Sequence, residues 1–457
     1  MKTIEGGFSR APRRRTLLRL GAAVAVGAAL TREAARAQSA GAPRLALLIG
    51  NRDYPDGDDL PPIHKNVRDL HAALMQRGFD VTDGLDTDVP SARSLVHAFA
   101  ARVRAAPPET IALFYFSGHG AQLDAENLLV GARTSPKAGA SSLAKGSLTL
   151  AGDILAVLPS RPQALTIAIL DACRTSITSL LEGSDGLNQV EAPPGCLIAF
   201  ATGAGKPAIA PADESRNTFY TASLVKLLAS ASDEITFSDL FRLVKYDVQE
   251  TMLNYPVPLL RQFAQYPFIA ENLRVQLRLA VEAAQATAAP AAPRFGDADE
   301  AGDFARLAAA LWPAEIERIA AEFLARHPTS KLAGSAQVAH EGAAEAARIL
   351  RRNDVRLFRG AFDPAPGADE GQIAELAKAA RGDKDAAARI GRTLRERDPS
   401  RYEGWLQYAA ALGNGIASYE LALHYRSHGQ PLQAAQFEAR ARALGYTPPP
   451  SLDNRRK

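Results

Sequence analysis

Residues 110–122 read TIALFYFSGHGAQ and residues 165–174 read LTIAILDACR. Each opens on a short apolar run rich in Ile, Leu and, in the first case, aromatics. Such a run is too short for a helix and lacks the alternation of a half-solvated strand, so it reads as a strand buried on both faces. Each then breaks into small and reactive residues: Ser117-Gly118-His119-Gly120 after the first, Asp171-Ala172-Cys173-Arg174 after the second. Three more runs of the same kind are Leu45–Gly50, Phe79–Thr82 and Cys196–Thr202. Between them, His64–Arg77, Ser91–Ala105 and Leu148–Leu158 repeat apolar residues every three or four positions, the period of a helix. Thr218–Leu228 and Thr236–Met252 do the same after the fifth run, before a proline-punctuated stretch ending in Tyr266-Pro267-Phe268-Ile269. Strands alternating with helices predict an α/β fold: a mostly parallel sheet flanked by helices and built with right-handed crossovers.

In an open parallel sheet, ligands bind beyond the carboxyl ends of the strands, and strands consecutive in sequence are usually neighbours. Both reactive segments therefore read as loops at one edge, with His119 and Cys173 facing each other across a crevice. That pairing suits a Cys–His dyad. The thiolate attacks a carbonyl, and an imidazolium both lowers the thiol pKa and protonates the leaving amine. Glycines flanking His119 let substrate backbone approach and can aim an amide N–H at the developing oxyanion. Cys196 opens an apolar run and reads as core. Gly203-Ala204-Gly205-Lys206 is not a phosphate loop, because Phe200 and Pro207 stand where Gly and Ser or Thr are needed.

These segments carry a resemblance. The caspase signature is Gln-Ala-Cys followed by Arg, Gln or Gly, with a histidine about 50 residues upstream. Here Asp171-Ala172-Cys173-Arg174 holds the Ala-Cys-Arg centre, and His119 lies 54 residues before Cys173. With LALLIGNRDY, GFDV, FYFSGHGAQ, ILDACR and FATGAGKPA, the chain resembles the bacterial caspase-like proteins related to metacaspases over residues 44–272. The resemblance implies a cysteine endopeptidase with His119 and Cys173 as dyad, and an oxyanion site made by the amides of Cys173 and Gly120. Asp171 stands where caspases carry Gln and metacaspases Asp, which implies a first substrate pocket favouring Arg or Lys. Metacaspases add a second acid from the first helix. That place falls at or near Asn66, so Asp69, one helical turn later, or the loop acids Asp53, Asp56, Asp58 and Asp59 are the substitutes to test. The same loop acids leave Ca²⁺ activation open; no other cofactor and no metal site is expected.

The remaining sequence supplies address and appendage. Arg13-Arg14-Arg15 before Thr16-Leu17-Leu18-Arg19 resembles a twin-arginine export signal. Leu20–Leu30 is an apolar run of about 11 residues, far from the roughly 20 of a membrane span, and Ala35-Arg36-Ala37 suits cleavage before Gln38. The expectation is a signal over 1–37, a periplasmic or secreted protein, and no stable membrane anchor after cleavage. Residues 281–302 have linker composition. Beyond them the pattern is helical only, over Leu307–Arg326, Lys331–Arg352, Gly371–Asp398 and Arg401–Leu444, which predicts a repeat-like helical domain over 303–449 resembling tetratricopeptide repeats. A net charge of +3 and 23% charged residues give no footprint for nucleic acid, and two cysteines exclude a disulfide framework. The expected partners are a peptide or protein substrate and a protein on the helical region. An inactive caspase-fold scaffold whose helical region binds partners is the alternative.

Overall fold

Every residue of Arg44–Gly50 and of Cys196–Phe200 is buried, as expected of strands covered on both faces. A computed structural model describes residues 42–123, 125–176, 189–203, 211–257, 261, 264–280 and 298–448. In chain order the α/β part runs β1 (Arg44–Gly50), α1 (Ile63–Gln76), β2 (Phe79–Leu85), α2 (Val89–Ala105), β3 (Ile111–Leu123), β4 (Glu126–Val130), α3 (Ala140–Lys145), β5 (Ser147–Thr149), β6 (Leu165–Ser176), β7 (Cys196–Phe200), α4 (Phe219–Ser230), α5 (Phe237–Leu253) and β8 (Phe268–Asn272). The central path is β2-β1-β3-β6-β7-β8, parallel except for the antiparallel edge strand β8. β4 and β5 extend β3 as an antiparallel pair. Val67, Leu70, Phe219, Leu224, Phe237 and Val244 cover one face; Val89, Val96, Phe99 and Ile154 cover the other. The expected α/β architecture is therefore present.

Three local expectations change. The reactive segments are not loops: β3 continues through His119 to Leu123 and β6 continues through Cys173 to Ser176. Leu148–Leu158 is not one helix. It is the end of β5 followed by a short π-helix over Leu150–Leu155, capped by Thr149 and Asp153. Thr149 N–H donates to Asp153 Oδ2 at 2.8 Å, and Asp153 N–H returns to Thr149 Oγ1 at 3.2 Å. β8 was hidden because an edge strand need not be apolar on both faces.

The C-terminal part consists of α6 (Ala298–Ala309), α7 (Pro313–Arg326), α8 (Ala333–Leu350), α9 (Glu370–Ala380), α10 (Lys384–Leu394), α11 (Pro399–Ala411), α12 (Gly415–Ser427) and α13 (Pro431–Ala443). α6 begins inside the stretch of linker composition, whose residues 281–297 lie outside the described residues. Long helical patterns are cut where the backbone demands it. Pro313 opens α7, and Gly413 takes φ +97° between α11 and α12, a conformation that suits glycine. Trp405, Tyr408 and Phe362 anchor a core in which many alanines pack with Leu, Ile and further aromatic side chains such as Phe323 and Tyr402. Among the described residues no helix is long and apolar enough to cross a membrane.

Residues 43–280 and 293–457 form one compact unit, and charge holds its two parts together. β8 is an edge strand, and its outward backbone groups are taken by side chains around α10. Lys384 Nζ donates to Ile269 O at 3.1 Å, and Arg389 Nη1 to Glu271 O at 2.9 Å. Glu271 N–H donates to Asp385 Oδ2 at 3.3 Å, and Lys378 Nζ donates to Leu273 O. Beneath them Arg242 of α5 pairs with Glu271 at 2.5 Å and reaches Asp383 at 3.4 Å. Both carboxylates have side chains only 4% exposed. Burial alone would raise the Asp383 pKa; the Arg242 charge and the α10 N-terminal amides hold it well below the usual range. Arg242→Ala should cost about 3–5 kcal/mol, because it strands two buried carboxylates. Thermal unfolding of the full chain measures this, and adding Glu271→Gln should recover part of the loss.

Candidate active site

β1 stops at Gly50, opposite Ser117, while β3 runs on. The chain after β1 is therefore free to turn across the extension of β3. Asn51 fixes that turn. Its N–H donates to Ser117 O at 2.9 Å, its Nδ2 to Val130 O at 3.1 Å, and its Oδ1 accepts from Thr87 N–H at 2.8 Å. Residues 52–62 then bring Tyr54 and Asp58 onto His119. Tyr54, 6% exposed, accepts the His119 N–H on its hydroxyl at 3.0 Å and donates to Val130 O at 3.1 Å. Its ring meets the imidazole edge-on, with centroids 4.5 Å apart. His119 Nε2 lies 2.8 Å from Asp58 O. A carbonyl only accepts, so Nε2 carries the hydrogen and Nδ1 is left as the base. Burial pushes the His119 pKa down, against the opposing pull of Asp58.

β3 and β6 pair in parallel with His119 directly in register with Cys173, and Gly120 with Arg174. The two residues singled out from the sequence are thus adjacent across the ladder. Gly120 also pairs with Leu129 of β4, so it belongs to the sheet rather than to a loop. Gly118 serves a purpose other than substrate access: a Cβ there would stand 2.6 Å from Tyr54 Oη, so the missing side chain makes room for the tyrosine. Cys196 is a buried free thiol, pushed by burial to about 11, which makes it inert.

Asp171 is 3% exposed at the end of the apolar part of β6. Its Oδ2 accepts from Thr218 Oγ1 at 2.5 Å, Thr221 Oγ1 at 2.6 Å, and Tyr115 Oη and Asn66 Nδ2 at 3.4 Å each. Among the described residues no Arg or Lys pairs with it, and burial raises its pKa. Asn66, fully buried, also donates to Ser117 Oγ at 3.3 Å and Thr218 Oγ1 at 3.1 Å, and accepts Thr218 N–H at 3.1 Å. Counting along α1 toward Gly78 thus leads to a residue that contacts Asp171, and that residue is an amide. One turn along α1, Asp69 turns to its own helix, pairing with Lys65 at 2.6 Å and Arg68 at 3.5 Å. Asp58 pairs with Lys137 at 2.7 Å, Asp59 accepts Tyr54 N–H at 2.7 Å, and Asp53 binds Arg52 at 2.6 Å. Among the described residues no three His, Cys, Asp or Glu side chains stand where they could hold a metal ion.

Sequence reading missed Tyr54, Thr218 and Thr221. Tyr54 closes the quoted run LALLIGNRDY, but nothing in its spacing says that it folds back over a histidine 65 residues away. Thr218 is legible only as a helix N-cap, whose second hydrogen bond reaches Asp171.

No curated protein matches the chain. The family model Peptidase C14, the caspase domain, matches residues 43–278, just over half of the chain. The match begins at β1, takes in β3 and β6 and ends past β8. The chain belongs to the caspase-domain family of peptidases.

Proposed function

We propose that this protein is a cysteine endopeptidase that cleaves after Arg or Lys. The observation that carries the reading is the register of His119 against Cys173 across β3 and β6. Cys173 supplies the thiolate that attacks the scissile carbonyl carbon. His119 takes the thiol proton on Nδ1 and returns it to the amine as the C–N bond breaks; water then resolves the thioester. Asp58 O fixes the imidazole tautomer, and Tyr54 fixes the backbone that carries it. The amides of Cys173 and Gly120 are the oxyanion donors in this reading. The basic preference rests on Asp171, a buried carboxylate without a cationic partner among the described residues, to which a substrate guanidinium supplies the missing charge. Export by the twin-arginine signal fits the same picture, since a chain exported folded keeps Cys196 buried and away from Cys173.

Fluorogenic peptides ending in Arg, Lys or Asp, assayed with and without Ca²⁺, test the reading. Cleavage after Asp in preference to Arg would overturn the specificity. Cys173→Ala should abolish cleavage, while Cys196→Ala should leave it largely intact. Asp171→Asn should lower kcat/KM for Arg peptides tenfold or more, since a charge-assisted contact contributes roughly 1.5–3 kcal/mol. The same variant also tests the charge state of the buried carboxyl. A pKa raised in the folded state means that Asp171 helps stability at low pH and loses that help as pH rises through the folded value. The melting temperature of Asp171→Asn relative to wild type should therefore climb with pH. Tyr54→Phe removes one acceptor and one donor but keeps the ring. It should lower kcat on the order of tenfold with little change in KM, a loss of about 1–1.5 kcal/mol for the hydrogen bonds, and should move the acid limb of the pH profile as the imidazole loosens.

A further inference from the structure

We propose that the cavity between α5, β8 and the helical array binds a zwitterionic ligand, an amino acid or a dipeptide, with its carboxylate on Lys245 and its ammonium group on Glu345. None of the described residues lining this cavity belongs to β3 or β6, so the site is separate from His119 and Cys173.

The cavity has a volume of about 440 Å³, within the range of small-molecule sites. Its walls come from α5, β8 and the residues leading into it, α8, and the turns that follow α9 and α11. Most of the charge in those walls is already matched. Arg242 pairs with Glu271 and Asp383, and Lys384 pairs with Asp385 at 2.8 Å. Arg381 caps the end of α6, donating to Leu307 O at 2.7 Å and Ala308 O at 3.2 Å. Lys245, Tyr246 and Gln249 of α5 and Glu345 of α8 are what remains. Among the described residues, none of these four side chains has a hydrogen bond or an ion pair.

Lys245 is the group that calls for an anion. It is partly buried, and burial pushes its pKa down; Glu345 opposes this, while Arg242 and Lys384 push it down further. A half-buried cation beside two others gains much from a carboxylate. The acids on the β8 side cannot supply one, because Glu271, Asp383 and Asp385 are already engaged. Glu345, exposed on α8, attracts Lys245 but makes no ion pair with it. A cation and a carboxylate thus line one cavity without touching. A simple anion satisfies only the lysine, whereas a molecule bearing both charges satisfies both. Two further groups suit such a molecule. Burial pushes the Tyr246 phenol up to about 12, so it stays a donor at neutral pH. Gln249, four residues after Lys245 and so on the same helix face, offers a donor and an acceptor.

The test uses the full chain, titrated in a calorimeter and melted with each common L-amino acid and with glycylglycine. At least one of these compounds should bind and raise the melting temperature. Its N-acetyl and carboxamide derivatives, each lacking one charge, should bind roughly tenfold or more weakly, the worth of one charge-assisted contact. Lys245→Met and Glu345→Gln should each weaken the parent compound by a similar factor. Melting without additive checks that both variants are folded. Should Lys245→Met unfold, Glu345→Gln and the two derivatives decide. Binding by none of the compounds overturns the proposal, and so does binding that both variants retain. Inorganic phosphate or acetate binding as tightly as the amino acid makes the site one for simple anions and overturns the zwitterion. Loss of binding in Asp171→Asn with Lys245→Met unaffected places the compound at the peptidase site and also overturns it.

Discussion

The site depends on the pairing of β3 with β6. Twelve residues of each strand stay in register, from Ile111 with Leu165 to Gln122 with Ser176. The first half of that ladder is apolar, buried on both faces and wedged between two helical layers, so a slip of one residue would turn each core side chain to the opposite face. The second half inherits its alignment from the first. His119 meets Cys173 because Phe114 meets Ala168 and Phe116 meets Leu170. The chemistry is thus positioned by packing several residues below it, with no local device needed to aim the two strands at each other.

A second constraint is the unequal length of the strands. β1 ends at Gly50 while β3 and β6 continue, leaving a ledge that the segment after β1 crosses. Asn51 nails the start of that crossing to three strands or loops at once, and Tyr54 fills the space above Gly118. This arrangement explains why the segment around His119 contains glycine on both sides yet has no residue in the left-handed region among its described neighbours. Gly118 is needed for what lies over it. Its backbone shape is one that any residue adopts.

Much of this was legible. Burial on both faces writes itself into sequence as unbroken apolar runs, so the starts of the five central strands and four of the five helical stretches could be placed to within a few residues. The juxtaposition of His119 and Cys173 followed from topology and from the likeness of ILDACR and FYFSGHGAQ to caspase-like segments. What resisted reading has no periodic signature. The extension of β3 past Phe116 is built from Ser, Gly and His, which resemble a loop until a partner strand pairs with them. Tyr54, Thr218 and Thr221 reach the site from distant segments, and a polar side chain's far-off partner leaves no trace in local pattern. The pairing of Asp69 was not legible for a related reason. A carboxylate near the expected place looks suitable in sequence, but Lys65 four residues earlier is a closer partner on the same helix.

The helical array is better viewed as part of the body that carries the sheet than as an appendage on a linker. An edge strand left bare invites pairing with other chains, and β8 is covered by Lys384, Asp385 and Arg389 reaching its backbone from the array, with Lys378 on Leu273 just after it. Arg242 and Asp383 add a buried ionic contact beneath. Such contacts require complementary positions and tolerate little sliding, unlike an apolar face that can shift register. Fixing the array at β8 also fixes the turn between α11 and α12, which holds Gln189 where the chain returns from the segment after β6. Two ends of that segment are therefore set by different parts of the molecule: Ser176 by the sheet and Gln189 by the array.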